Sequence, residues 1–119
     1  MRLAMTGALL AGLGVAAGAF GAHGLRDRLD AGSMSTFETA VRYQLVHGLA
    51  LLIASQRSAQ APAARYAAVA FVAGILLFSG SLYALALGAP RALGMITPFG
   101  GLAFIGGWIA LAVSYRGAA

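Results

Sequence analysis

Four apolar runs separated by short polar breaks make up the chain, and each is close to the ~20 residues that cross the hydrocarbon core of a bilayer. The first extends from about Leu3 to Leu25 and the second from about Phe37 to Ser55. The third covers about Tyr66 to Leu87 and the fourth about Pro98 to Tyr115. Arg26-Asp27-Arg28-Leu29-Asp30 opens the first break, Pro62 lies in the second, and Gly88-Ala89-Pro90-Arg91 forms the third. Ser35 and Glu38 have the spacing of a capping box, which places the start of the second helix there. Thr97-Pro98 reads as an N-cap followed by proline at the first helical position. The pattern predicts an all-α integral membrane protein, a bundle of four transmembrane helices forming one domain over residues 1–119.

Helical periodicity then sorts small residues from bulky ones. Gly7, Ala11, Gly14, Gly18 and Gly21 share one stripe of the first helix, while Leu9, Leu10, Leu13 and Phe20 gather on another arc. Ala67, Ala70, Gly74, Ser81 and Gly88 align on the third helix. On the fourth, Gly100, Ala103, Gly107, Ala110 and Ser114 face away from Leu102, Ile105, Ile109 and Val113. Lipid tails are as apolar as leucine, so helices associate in membranes largely through close backbone approach at small residues. Gly14, Gly18, Gly74 and Gly107 are therefore expected at helix–helix contacts, with the bulky arcs toward lipid.

Composition agrees with the pattern. Of 119 residues, 61% are hydrophobic and 9% charged, with mean hydropathy +0.85, and a chain this short has too little interior to hide that apolar surface from water. The net charge of +5 rests on arginine alone. These arginines stand singly at the ends of apolar runs, not on the dense basic face that nucleic acid requires, so no nucleic-acid partner is expected. The chain has no cysteine, which excludes disulfides, thiolate metal sites and cysteine nucleophiles. Arg2, the apolar stretch after it and Ala17-Gly18-Ala19 also fit a signal peptide, but the expectation is a retained first membrane helix. Arg2, Arg57, Arg65 and Arg116 border one side of the membrane; Arg26, Arg28 and Arg91 border the other. That margin of one arginine, which disappears if Arg42 is counted, assigns both termini to the cytoplasm.

Ionisable groups inside a bilayer are costly and mark candidate sites. The second helix holds most of them. Tyr43 and His47 share a face with Thr36, Ala40, Ala50 and Ala54, and an unsatisfied imidazole there would cost about 1–3 kcal/mol. Glu38 and Arg42 are a candidate ion pair, one turn apart and roughly opposite His47 on the stripe of Leu45, Leu49 and Leu52. The first and third breaks lie on the same side of the membrane. His23, Glu38, Arg42, Tyr43, Gln44 and His47 lie between that side and the midplane, as do Ser79, Ser81, Tyr83 and Thr97. The other leaflet is almost purely Leu, Ala, Gly and Val. A polar pocket formed by His23, Tyr43, Gln44, His47, Ser79, Ser81 and Tyr83 is one explanation; a hydrogen-bond network that fixes helix register is the other.

Specific chemistries fit less well. A bis-histidine haem needs both imidazoles at one depth, whereas His23 and His47 differ by about 10–15 Å along the membrane normal. Zinc needs three or four ligands, and two histidines with one nearby carboxylate do not supply them. Ser79, His47 and Glu38 would make a poor triad because Glu38 projects away from His47. No metal, cofactor or catalytic residue is expected.

The same residues carry a family resemblance across most of the chain. Gly18-Ala19-Phe20-Gly21-Ala22-His23-Gly24-Leu25 is followed by Phe37, Thr39-Ala40, Tyr43-Gln44, His47 and Leu49-Ala50-Leu51. Phe78-Ser79-Gly80-Ser81-Leu82-Tyr83, Thr97-Pro98, Gly100-Gly101 and Gly107-Trp108 complete the series. In this order and length the sequence resembles the small inner-membrane proteins of the YgdD/YwdK type, a family of unknown function with a eukaryotic relative among the numbered transmembrane proteins. The resemblance implies a four-helix protein of the bacterial inner membrane and supplies no activity.

Three functions compete. A non-enzymatic membrane component, with an accessory, assembly or lipid-binding role, needs only the small-residue faces; its partners would be membrane lipid and either a second copy or another membrane protein. A small-solute transporter or channel would be an oligomer lined by Tyr43, His47, Ser79 and Tyr83. An enzyme acting on a lipid or quinone would have only His47 as acid or base. The first is expected.

Overall fold

Asp30 decides where the second helix begins. Its carboxylate accepts from the Ser33 backbone N–H at 2.7 Å, so the helix starts at Ala31, ahead of the Ser35–Glu38 box. The computed structural model describes residues 2–117. Four rods follow in the chain. The first is α1 (Arg2–Phe20), prolonged by a wider π turn over Gly21–Leu25. The second is α2 (Ala31–Arg57), ending two residues beyond the expected Ser55.

The third rod starts at Pro62, four residues before the expected Tyr66, because proline suits the first helical turn, where its missing N–H costs nothing. It comprises α3 (Pro62–Gly74), a π turn (Ile75–Ser79) and α4 (Gly80–Ala86). It closes on Gly88, whose φ of +105° lets Ala89 N–H reach the Ala84 carbonyl at 2.9 Å. Gly88 is thus an exposed cap and not part of the small face on which it was expected. The fourth rod is a 3-10 turn (Arg91–Met95) leading into α5 (Thr97–Ser114).

Neighbouring rods run antiparallel. Gly7 lies against Gly48 and Leu52, Gly14 against Leu45, and Gly21 against Phe37, so the glycine stripe of α1 faces α2. Between the third and fourth rods, Phe71 meets Gly107, Gly74 meets Phe104, and Phe78 meets Gly100. At Gly74 and Gly107 a phenylalanine ring fills the space that the glycine leaves open, and at Gly100 the backbone of Phe78 does. Leu9, Leu13, Leu102, Ile105 and Ile109 point outward. The bundle measures 50 × 27 × 22 Å, long enough for a hydrocarbon core of about 30 Å with its flanking interfaces.

Three rods, Arg2–Leu25, Pro62–Ala86 and Arg91–Ser114, are long and apolar enough to cross a membrane. The second is the most polar, and its polar residues Gln44 and His47 are buried. Phe37, Ala40, Gln44, His47, Leu51 and Ala54 are among its buried residues, and it packs against the first rod on one side and the third on the other. Arg2 and Ser114 lie at one end of the bundle. There Arg57 donates to the Ser114 carbonyl at 2.6 and 3.2 Å, satisfying an end-of-helix acceptor of α5, and stacks its guanidinium 4.6 Å from the Tyr115 ring.

Candidate functional site

The polar residues of α2 meet partners from all three other rods. Gln44, one turn before His47 on the buried side, donates Nε2–H to the Leu10 carbonyl of α1 at 2.8 Å. Its Oε1 accepts from the Tyr83 hydroxyl of α4 at 2.6 Å. One amide therefore joins three rods. Ser79 donates to the Ala40 carbonyl at 2.8 Å from within the π turn of the third rod. That turn carries one residue more per loop than an α-helix and is the kind of local irregularity that re-aims a side chain.

His47 is the most enclosed ionisable group. Its ring stacks on Phe104 at 3.6 Å with an interplanar angle of 14° and is only 4% exposed. Trp108 Nε1–H donates to His47 Nε2 at 3.0 Å, so that nitrogen carries no hydrogen. The hydrogen therefore sits on Nδ1, which donates to the Tyr43 carbonyl at 2.7 Å. Both nitrogens of a neutral ring are engaged. Tyr43 contributes this carbonyl, while its own ring packs on Phe78 at 4.5 Å and stays 38% exposed.

The structure thus bonds Tyr83 to Gln44 and Ser79 to the Ala40 carbonyl one turn before Gln44, while His47 packs on Phe71, Phe104 and Trp108. Ser81 lies apart, sharing a 2.5 Å hydrogen bond with Thr97 that links the third and fourth rods. His23 is exposed in the π turn of the first rod, away from the cluster. Glu38 and Arg42 are exposed on the other face of α2, and neither forms an ion pair within 4 Å among the described residues. Among the described residues, no buried side-chain nitrogen or oxygen lacks a hydrogen-bond partner.

Two cavities open on the flank of the bundle. One of about 330 Å³ opens between α1 and α2, lined by Gly18, Ala22, Phe37, Val41, Glu38 and Arg42 among others. A second of about 240 Å³ adjoins it across Arg42 and reaches Tyr43, Val46 and one edge of His47.

Trp108, Phe104 and the carbonyls of Leu10, Ala40 and Tyr43 were not among the site residues expected from the sequence. Trp108 carried a usable signal. A tryptophan N–H near a helix interior needs an acceptor, and His47 is a side-chain acceptor in the apolar middle of the chain.

Apolar rods of membrane-crossing length around a polar centre define the class: a small helical membrane protein. Residues 17–101 match the family model described as "Protein of unknown function (DUF423)". A UPF0382 membrane protein of Staphylococcus haemolyticus is 48% identical over 109 residues, covering 91% of this chain and 89% of that one. A UPF0382 membrane protein of Haemophilus influenzae is 46% identical over 99 residues, covering 82% and 80%. The UPF0382 membrane protein YwdK of Bacillus subtilis is 40% identical over 111 residues, covering 91% and 90%. The chain belongs to this DUF423 family of membrane proteins, in agreement with the resemblance seen in its sequence. No solved structure matches it.

Proposed function

We propose that the protein is a four-span, non-enzymatic component of the bacterial cytoplasmic membrane, acting through its outer surface on lipid or a membrane partner. Both termini face the cytoplasm in this reading. The observation that carries it is the closed state of the polar centre: His47 has both nitrogens engaged, and Gln44 is bonded at both ends of its amide. Hydrogen bonds at both nitrogens hold the His47 ring in one orientation and one tautomer, which suits a brace better than a group that must exchange partners. The network instead fixes the rotation and height of the rods. Interhelical hydrogen bonds do this well in lipid, where small residues alone permit sliding. The second rod supports four crossings by its length, about 40 Å for 27 residues, and by its antiparallel neighbours on either side.

His47→Phe tests the reading in protein purified in mild detergent. The substitution should lower thermal stability and leave unchanged the set of lipids and proteins that copurify. Loss of a copurifying small molecule at unchanged stability would instead make His47 a ligand group and overturn the proposal.

A further inference from the structure

Arg42 is placed where an arginine is costly, and among the described residues no carboxylate pairs with it within 4 Å. It lies five residues from His47 toward the Asp30 end, about 7.5 Å along the helix axis, against about 15 Å for half the hydrocarbon core. His47 marks the middle, since it stacks on Phe104 near the centre of the fourth rod. Charged side chains at such depth normally face the protein interior or pair with one another. Arg42 is exposed, forms no ion pair within 4 Å among the described residues, and sits between two cavities on the bundle flank.

The larger cavity has a definite construction. Gly18 and Ala22 form a low wall on the side of the first rod, and Phe37, Val41 and Leu45 form the floor on α2. Glu38, one turn nearer the membrane surface than Arg42, lines this cavity and also a shallower depression outside it, which Arg26 and Ser35 share. The groove therefore runs inward from the surface, past an acid and then a guanidinium, to an apolar end.

We infer that this groove seats one phospholipid of the ethanolamine type, with its phosphate on Arg42, its ammonium on Glu38 and an acyl chain along Val41 and Leu45. The order of charges supports this occupant. In such a lipid the phosphate adjoins the glycerol and lies deeper, and the amine is further out, matching Arg42 and then Glu38. A guanidinium presents its N–H donors in the fork geometry that phosphate oxygens accept. Glu38 disfavours a glycerol headgroup, which brings the negative phosphate without an amine to offset the carboxylate. This inference rests on the reading of the protein as a non-enzymatic, lipid-contacting component and names the lipid.

The test uses the full chain in mixed micelles containing equal amounts of phosphatidylethanolamine and phosphatidylglycerol, with retained lipid counted by native mass spectrometry. Wild type should retain one phosphatidylethanolamine, chemically unchanged, in preference to phosphatidylglycerol. Arg42→Ala should weaken retention about tenfold, the scale of losing a charge-assisted hydrogen bond. Glu38→Gln should keep total retention and abolish the preference. Both side chains are exposed, so the melting temperature should be unaltered in both variants and the comparison stays interpretable. Equal retention by wild type and Arg42→Ala would overturn the seat. So would a wild-type dimer that Arg42→Ala dissociates without changing bound lipid, since a second copy would then fill the groove. Lipid retained with the stated preference but recovered chemically altered would uphold the seat and defeat the non-enzymatic reading.

Discussion

Gln44 concentrates more inter-rod bonding than any glycine, because one planar amide holds the first rod through Leu10 and the third through Tyr83. Interhelical hydrogen bonds in membranes contribute about 0.6 kcal/mol on average, and up to about 1.7. Gln44→Leu should therefore lower unfolding stability by about 1–2 kcal/mol in a detergent denaturation series, and Tyr83→Phe by less. The double variant should fall short of the sum, because the two side chains share a bond. Strict additivity would show that the 2.6 Å contact carries no energy. The polar character of Gln44 and His47 was legible in the sequence. Apart from Tyr83, their partners were not. Trp108 is 61 positions from His47, and the acceptors at Leu10 and Tyr43 are backbone carbonyls, which no residue type announces. Tyr83 reaches Gln44 and Ser79 reaches the backbone of the same helix at Ala40, while His23 stands apart, because depth says nothing of direction around the bundle.

At the scale of elements, each tight crossing has a glycine on one side, which faces a ring at Gly21, Gly74 and Gly107 and backbone at Gly7 and Gly100. Gly100 is the most demanding case: a Cβ there would run into the backbone of Phe78 in the π turn, which has no side-chain freedom to yield. Gly100→Ala should cost about 1–3 kcal/mol by overpacking, whereas Gly106→Ala, which meets nothing within 4 Å, should be neutral or favourable by up to about 1 kcal/mol. Leu102→Ala on the outer arc should be tolerated, and Gly107→Leu, opposite Phe71, should disrupt the fold. Unfolding midpoints in detergent would rank the four, and equal midpoints for Gly100→Ala and Gly106→Ala would refute the packing assignment. Small-residue stripes were readable from periodicity alone, but the rings opposite them were not, since a stripe does not specify its occupant. The two π turns were likewise hidden, because one extra residue per turn changes no residue type. The start of α2 shows how local spacing misleads. Ser35 and Glu38 have the capping-box interval, yet Asp30 stands earlier with its carboxylate on Ser33 N–H. That bond, with help from the Ser33 hydroxyl and the Gly32 N–H, holds the Asp30 carboxyl below its ordinary 3.8. A depressed carboxyl stabilises the fold above its unfolded pKa and stops doing so as pH falls through the folded value. Helix α2 should then fray at its first turn below about pH 4 in hydrogen exchange, and Asp30→Asn should remove that pH dependence.

For the molecule as a whole, the outstanding matter is how many times the chain crosses the bilayer. By length and composition three rods suffice as spans, and the second, with Glu38, Arg42, Gln44 and His47, is less apolar than they are. Its polarity has a structural cause. It is the rod in the middle, and most of what it buries faces protein, so lipid need not tolerate the amide of Gln44 or the ring of His47. A three-span arrangement would leave α2 in the interface and put the chain ends on opposite sides. It would also break the contacts of Gly7 with Gly48 and of Ser79 with Ala40, which require α2 to lie along both neighbours. The hydrogen bonds from Arg57 to Ser114 impose the same geometry, since they bring the end of the second rod to the end of the fourth. Reporter tags fused at either end, one active in the cytoplasm and one outside it, should therefore give matching readings. Opposite readings would remove α2 from the membrane and with it the reading of the polar centre as an internal brace. Matching readings on the cytoplasmic side would also agree with the arginine balance of Arg2, Arg57, Arg65 and Arg116 over Arg26, Arg28 and Arg91. Because that balance turns on one arginine, Arg65→Ala together with Arg116→Ala should produce a mixed population of orientations, detectable as partial signal from both reporters. A variant that remains wholly in one orientation would show that something other than flanking arginine sets the topology.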